Sequence, residues 1–231
     1  MKLLLFDIDG TLLLSTSGLR AVVDAIRALY DPEADLEGIE LAGRTDALIA
    51  SQILTRYGRE VTPESITEFV DQYLQQLAAH LPEETGTLLP GINPLLDALH
   101  DREDVALGLL TGNMKRGAHL KLQSFKLGHY FEFGAFADDH HDRNALGPFA
   151  MERANARHQR AFALEETFVI GDTPHDIACA RAFGAKAVGV ATGKFTVEEL
   201  TACHADWVFA DLSDVSAVLE ALGIHEPTPA A

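Results

Sequence analysis

Two carboxylates, Asp7 and Asp9, stand one residue apart where the apolar run of "LLLFDIDGTLLLS" breaks. A charged side chain is rarely buried unless it is paired or bound to a metal. An aspartate held ionised beside a cation can act as a nucleophile, and aspartyl-phosphate chemistry is the precedent. A second aspartate two residues on lies on the same side of the chain. It can protonate a leaving oxygen and then take a proton from water. Gly10 lets the backbone approach an anion closely, and the neighbouring N–H groups can cradle it. Aspartate followed by glycine is also a common turn, so Asp9 taken alone carries either meaning.

Two further segments end in the same kind of chemistry. "LLTGN" supplies Thr111, Gly112 and Asn113, whose hydroxyl and backbone N–H groups can donate to phosphoryl oxygens; Thr111 also suits a helix N-cap. "VIGDTPHD" supplies Asp172 and Asp176, the latter suited either to a metal or to the N-terminus of the helix after Pro174. Several carboxylates converging in one place repel one another, and a hard divalent cation relieves the repulsion. Mg²⁺ fits best, because it takes oxygen ligands and often shares them with a substrate phosphate.

Strand ends must bring these residues together. Short apolar runs at 2–7, 105–111, 133–137, 167–172, 186–191 and 207–210 alternate with amphipathic stretches after Pro94, Arg116, Pro148 and Pro174. That alternation predicts an α/β fold, a Rossmann-like parallel sheet with crossover helices. In such sheets ligands bind outside the carboxyl ends of the strands. From about 15 to 87 there is only helical periodicity, in a connection too long for a crossover. It predicts an all-helical cap, residues 15–87, inserted into a core of residues 1–14 and 88–231. The hinges fall near 15–18 and 84–91, and the tail "EPTPAA" is expected to fray.

In order and spacing, "DIDGTLL", "LLTGN" and "GDTPHD" resemble motifs I, II and IV of the haloacid dehalogenase-like (HAD) hydrolases. The helical insert after motif I resembles the cap of the phosphoglycolate phosphatase-like branch. The resemblance covers essentially the whole chain and implies an Mg²⁺-dependent phosphatase acting on a small phosphorylated metabolite through an aspartyl-phosphate. By it, Asp7 is the nucleophile, Asp9 the acid/base, and Thr111 the phosphate-binding hydroxyl. Asp172 is a metal ligand, and Asp176 a ligand or a group just behind one; Asp7 and the Asp9 carbonyl complete the metal set. Motif III, a lysine or arginine, has no lysine in "DDHHDRNALGPFAMERA". Arg143, preceding Pro148 and the next helix, is the best match, and Lys115 the fallback. "GRTD" resembles the cap's specificity loop, which nominates Arg44 and Thr45 for substrate contact. It also reads as an N-cap for the helix that follows. "DDHHD" reads as a solvated loop at the rim of the site, since neighbouring histidines seldom converge on one zinc.

Bulk composition narrows the remaining classes. A formal net charge of −17 on 231 residues repels nucleic acids and anionic membranes, so any anionic substrate needs a local reversal of sign. Cys179 and Cys203 do not make a disulfide framework, and the N-terminus has neither a spanning length nor a signal pattern, which together suggest a cytoplasmic protein. A β-phosphoglucomutase-like phosphomutase shares the same nucleophile and acid/base. A non-catalytic phosphate sensor would need no acid/base and is the contrasting class.

Overall fold

The computed structural model describes residues 1–83 and 86–225. The frayed tail expected at 226–231 and the first two hinge positions, 84 and 85, lie outside those residues. The core is a parallel six-stranded sheet in the order β5-β4-β1-β6-β7-β8. Its strands are β1 (Lys2–Phe6), β4 (Val105–Leu110), β5 (Gly134–Ala135), β6 (Thr167–Gly171), β7 (Lys186–Val190) and β8 (Trp207–Phe209). β1 sits in the middle, pairing Leu3–Phe6 with Ala106–Leu109 on one side and with Thr167–Ile170 on the other.

Both faces of β1 are covered, which explains its unbroken apolar sequence. Leu4 and Phe6 point into one apolar cluster with the helices α4 (Ile92–His100) and α5 (Lys115–Ser124). Leu3 and Leu5 point into the opposite cluster with α6 (Gly147–His158) and α7 (Pro174–Phe183). The side chains therefore alternate between two buried apolar layers. Two short helices, α8 (Val197–Ala202) and α9 (Val215–Ala221), were not anticipated. Their signals are the caps rather than the periodicity: Thr196 and Asp214 each accept a backbone N–H of the first turn.

Between residues 15 and 83 the chain builds three α-helices, α1 (Ser17–Leu29), α2 (Asp46–Arg56) and α3 (Pro63–His80). They share an apolar cluster of their own, including Ile26, Ile53, Phe69 and Leu77. Thr62 and Ser65 cap α3 reciprocally, and Pro63 opens it. A two-residue antiparallel pairing, β2 (Leu13–Leu14) against β3 (Thr87–Leu88), ties the outgoing and returning chain together. So short a pairing leaves no periodic trace in a sequence. Among the described residues no helix is long and apolar enough to cross a membrane.

Gly91, where the chain re-enters the core, adopts φ +84°, and a Cβ there would lie 1.9 Å from the Leu212 carbonyl oxygen. Gly91→Ala is therefore expected to lose at least about 2 kcal/mol, from left-handed backbone strain plus overpacking against main chain. A urea melt checks it: the midpoint should fall without a change in slope, and an unchanged midpoint would show that the hinge is not packed as described.

Candidate active site

Adjacent strands deliver the polar residues to one edge. Asp7 follows β1, Thr111 follows β4 and Asp172 follows β6, the three neighbours at the centre of the sheet. The Asp7 N–H donates to the Ile170 carbonyl at 2.9 Å, so the pairing runs right up to the carboxylate. Asp176 comes in from the first turn of α7. Asp7, Asp172 and Asp176 are all buried, and one oxygen from each lies within 4.8 Å of the others.

Arg143 is the cation among them. Its guanidinium, 7% exposed, lies 3.1 Å from Asp7 Oδ1 and bonds Asp176 Oδ1, and it also donates to the Gly43 carbonyl at 3.2 Å. Lys115, the fallback for this place, is exposed; its backbone N–H donates to Asp138 at 2.5 Å. A guanidinium can serve these several acceptors at once because its donors form a rigid planar fork.

Electrostatics leaves this cluster short of positive charge. Burial, with Asp176 and Asp9 nearby, raises the Asp7 carboxyl to about 6 against the opposing pull of Arg143. Burial, then Asp176 and Asp7, raises Asp172 to about 8. Asp7 Oδ1 is buried yet makes no hydrogen bond despite its ion pair. A set of oxygen donors with raised proton affinity and an unbonded buried oxygen fits a hard divalent cation. Asp176 belongs to this cluster but has both oxygens engaged. Its Oδ1 is taken by Arg143, and its Oδ2 accepts from the Thr173 N–H at 3.0 Å and hydroxyl at 2.8 Å in a capping box.

The expected residues around this cluster have partners of their own. Gly10 has φ +80°, and a Cβ there would strike Asp172 Oδ2 at 2.4 Å; its glycine character makes room for that carboxylate. Thr192 fixes the same turn by donating to the Gly10 carbonyl at 2.6 Å. Thr45 is an N-cap: its hydroxyl accepts from Leu48 N–H and donates to the His141 carbonyl at 2.5 Å, so its proton is committed. Arg44 pairs with Glu40 at 2.6 Å inside the cap rather than reaching free into the crevice. His141 thus contributes a carbonyl to the cap contact, while the rest of "DDHHD" caps turns and pairs Asp139 with Arg153.

The turn before α2 is seated on the motif II loop. Asp46 N–H donates to the Gly112 carbonyl at 2.7 Å, and its carboxylate accepts from Met114 N–H at 2.7 Å. A side chain at Gly112 would meet the Arg44 carbonyl at 2.2 Å, so that contact requires glycine. Thr111 and Asn113 lie beneath. Thr111 is fully buried, its hydroxyl accepting from the Asn113 amide at 2.8 Å. Asp9 is 45% exposed and accepts from Asn113 at 2.9 Å and from Lys121 at 2.6 Å. Lys121 and Asp46 were missed. The signal for Lys121 was available: it shares the buried face of α5 with Gly117, Ala118 and Leu122, an odd place for a lysine.

Comparison with known proteins agrees with the geometry. The sequence pattern of the family described as "Haloacid dehalogenase-like hydrolase" matches residues 4–190. The chain is 29% identical to "Probable phosphatase IndB" of Dickeya dadantii, across 95% of this chain and 94% of that one. It is 27% identical to a phosphoglycolate phosphatase of Vibrio cholerae, across 95% and 97%. Among solved structures, a hydrolase from Pseudomonas syringae superposes with TM-score 0.73 at 24% identity, covering 95% of this chain and 98% of the other. CbbY from Rhodobacter sphaeroides in complex with phosphate superposes with TM-score 0.73 at 19% identity, covering 93% and 96%.

Carboxyls that hold protons more tightly folded than unfolded stabilise the fold at low pH. Their contribution is complete below the ordinary value of 3.8 and is lost as pH rises through about 6 for Asp7 and about 8 for Asp172. With a chelator present, Tm is expected to fall between pH 5.5 and 8.5, and excess Mg²⁺ to restore it more at the higher pH. Calorimetric scans at both pH values check this. A Mg²⁺ effect that is equal at the two, or larger at pH 5.5, would contradict it.

Proposed function

Because this chain belongs to the haloacid dehalogenase-like hydrolases, we propose that it is an Mg²⁺-dependent phosphatase. Its substrate is a small phosphorylated metabolite, and the reaction runs through an aspartyl-phosphate on Asp7. The observation that carries this reading is the pairing of two unlike aspartates. Asp7 is buried against Arg143, with one oxygen free of hydrogen bonds; Asp9, two residues on, is half exposed. One is dressed as a nucleophile and the other as a proton carrier open to a leaving group and to water.

An Asp7 oxygen attacks phosphorus, and the bond from phosphorus to the ester oxygen breaks. Asp9 gives its proton to the departing oxygen, so that an alcohol leaves. Asp9 then removes a proton from water as the water attacks the same phosphorus; the Asp7–phosphorus bond breaks and inorganic phosphate is released. Arg143 holds Asp7 and offsets the charge that gathers beside it. Thr111, with backbone N–H groups around Gly112 and Asn113, supports the phosphoryl oxygens. Asp7, Asp172 and the Asp9 carbonyl would hold Mg²⁺, with Asp176 fixing Arg143 behind them. When bound, the ion neutralises phosphoryl charge and aligns the displacement.

The cap supports the specificity half of the proposal. Residues near Asp7 read only a phosphate, so discrimination between metabolites falls to the helical insert, with the turn of Arg44 and Thr45 as its contact with the core. Closure through Asp46, Thr45 and Gly43 excludes water while the phosphoryl group is transferred. The names of the relatives make phosphoglycolate the first substrate to try.

Phosphate release from a panel of phosphomonoesters, with Mg²⁺ and with excess chelator, tests the proposal. Activity should require the metal. Asp7→Asn should lower kcat by about a thousandfold or more, and Asp9→Asn by on the order of a hundredfold or more. Full turnover in chelator, or an active Asp7→Asn variant, would overturn it. Transfer of the phosphoryl group to a second sugar hydroxyl in place of release would identify a mutase.

A further inference from the structure

Among the described lysines only Lys121 is buried, at 3% exposure, and nothing in the phosphatase reading gives it work. An ammonium withdrawn from water is costly unless its partners are fixed. Its partners here are Asp9 Oδ2 at 2.6 Å and Asn113 Oδ1 at 2.7 Å. Asn113 turns its amide nitrogen on the same Asp9 oxygen at 2.9 Å and on Thr111 Oγ1 at 2.8 Å. Two donors therefore fall on Oδ2 of Asp9, leaving Oδ1 as the oxygen with room for a proton. Lys121 also lies under the first turn of α1, where a Cβ on Gly18 would come 3.6 Å from Nζ, and its charge acts on the buried Asp46 carboxylate. It is the one side chain tying the half-exposed Asp9 to the rigid floor of α5.

Resting on the phosphatase reading, we propose that Lys121 is a positioning residue that clamps Asp9 Oδ2 so that the proton on Oδ1 faces the leaving oxygen. Together with Asn113 it fixes both the rotamer of Asp9 and which oxygen carries the proton. Its effect is therefore confined to steps that need that proton. An alkyl phosphate cannot expel its alkoxide without one, whereas p-nitrophenyl phosphate loses a stable phenolate unaided. The constant kcat/KM spans the steps up to alcohol departure, so it isolates this protonation from the later attack of water.

Lys121→Met, which keeps the bulk and removes the charge, should lower kcat/KM for an alkyl phosphate by about a hundredfold and for p-nitrophenyl phosphate by less than about fivefold. In the Asp9→Asn background the same substitution should cost almost nothing further on the alkyl phosphate. Equal losses on the two substrates, or full losses in both backgrounds, would give Lys121 a purely structural role and overturn the proposal. Melting provides a readout that needs no turnover. Asp9→Asn strands the buried ammonium and should lower Tm, and adding Lys121→Met should recover much of that loss. Additive losses in Tm would overturn the clamp. A wild-type protein that releases no phosphate from any phosphomonoester would remove the phosphatase reading and this inference together, whereas an active wild type with equal losses removes the inference alone.

Discussion

Three buried carboxylates gathered around one guanidinium form a cluster that is not electrically complete. Asp7, Asp172 and Asp176 approach within 4.8 Å, and Arg143 supplies the compensating charge by lying against Asp7 and Asp176. Such a group holds together in a low-dielectric interior only if its members are positioned rigidly and a further positive charge can join. The central strands supply the rigidity, since β1, β4 and β6 are hydrogen-bonded neighbours with apolar layers on both faces. Space is supplied by glycines. A Cβ at Gly10 or Gly193 would strike Asp172, and one at Gly171 would strike Asp176.

Arg143 extends the same constraint to the cap. It spans Asp7, the capping carboxylate of α7 and the Gly43 carbonyl, so one planar side chain joins the buried carboxylates to the turn before α2. A lysine in this place could neutralise Asp7 but could not hold that fan of acceptors in one plane. Lys121 plays a parallel part for Asp9, from α5 below and next to α1 above. The two aspartates are thus held by two different cations. That separation suits the unlike duties proposed for them, nucleophile for the buried one and proton carrier for the half-exposed one.

Much of this was legible in the sequence, for a physical reason. A strand buried on both faces has no tolerance for a carboxylate, so Asp7, Asp172 and the polar end of "LLTGN" stood out against their apolar surroundings. The sheet, its crossover helices and the inserted helical unit followed from periodicity. What stayed hidden depends on pairing across long stretches of chain. The β2–β3 pairing is two residues long and has no period to detect. Thr45 was readable as an N-cap, but its bond to the His141 carbonyl, 96 positions later, was not. The nearness of Gly10 to Asp172 was hidden too, because it depends on the loop after β6. Lys121 was visible as a charge on an apolar face, but its partner Asp9 lies 112 positions away.

The central claim is that Asp7, the most deeply held of the two aspartates, carries the phosphoryl group between the two halves of the reaction. Acid-quenching the enzyme during turnover and reducing it with borohydride converts an acyl phosphate to the corresponding alcohol, which peptide mass spectrometry locates. Homoserine at position 7, appearing only with substrate and metal present and absent from Asp7→Asn, is the expected result. Turnover that proceeds with Asp7 unmodified, or with phosphate found on a serine or histidine instead, would contradict the mechanism.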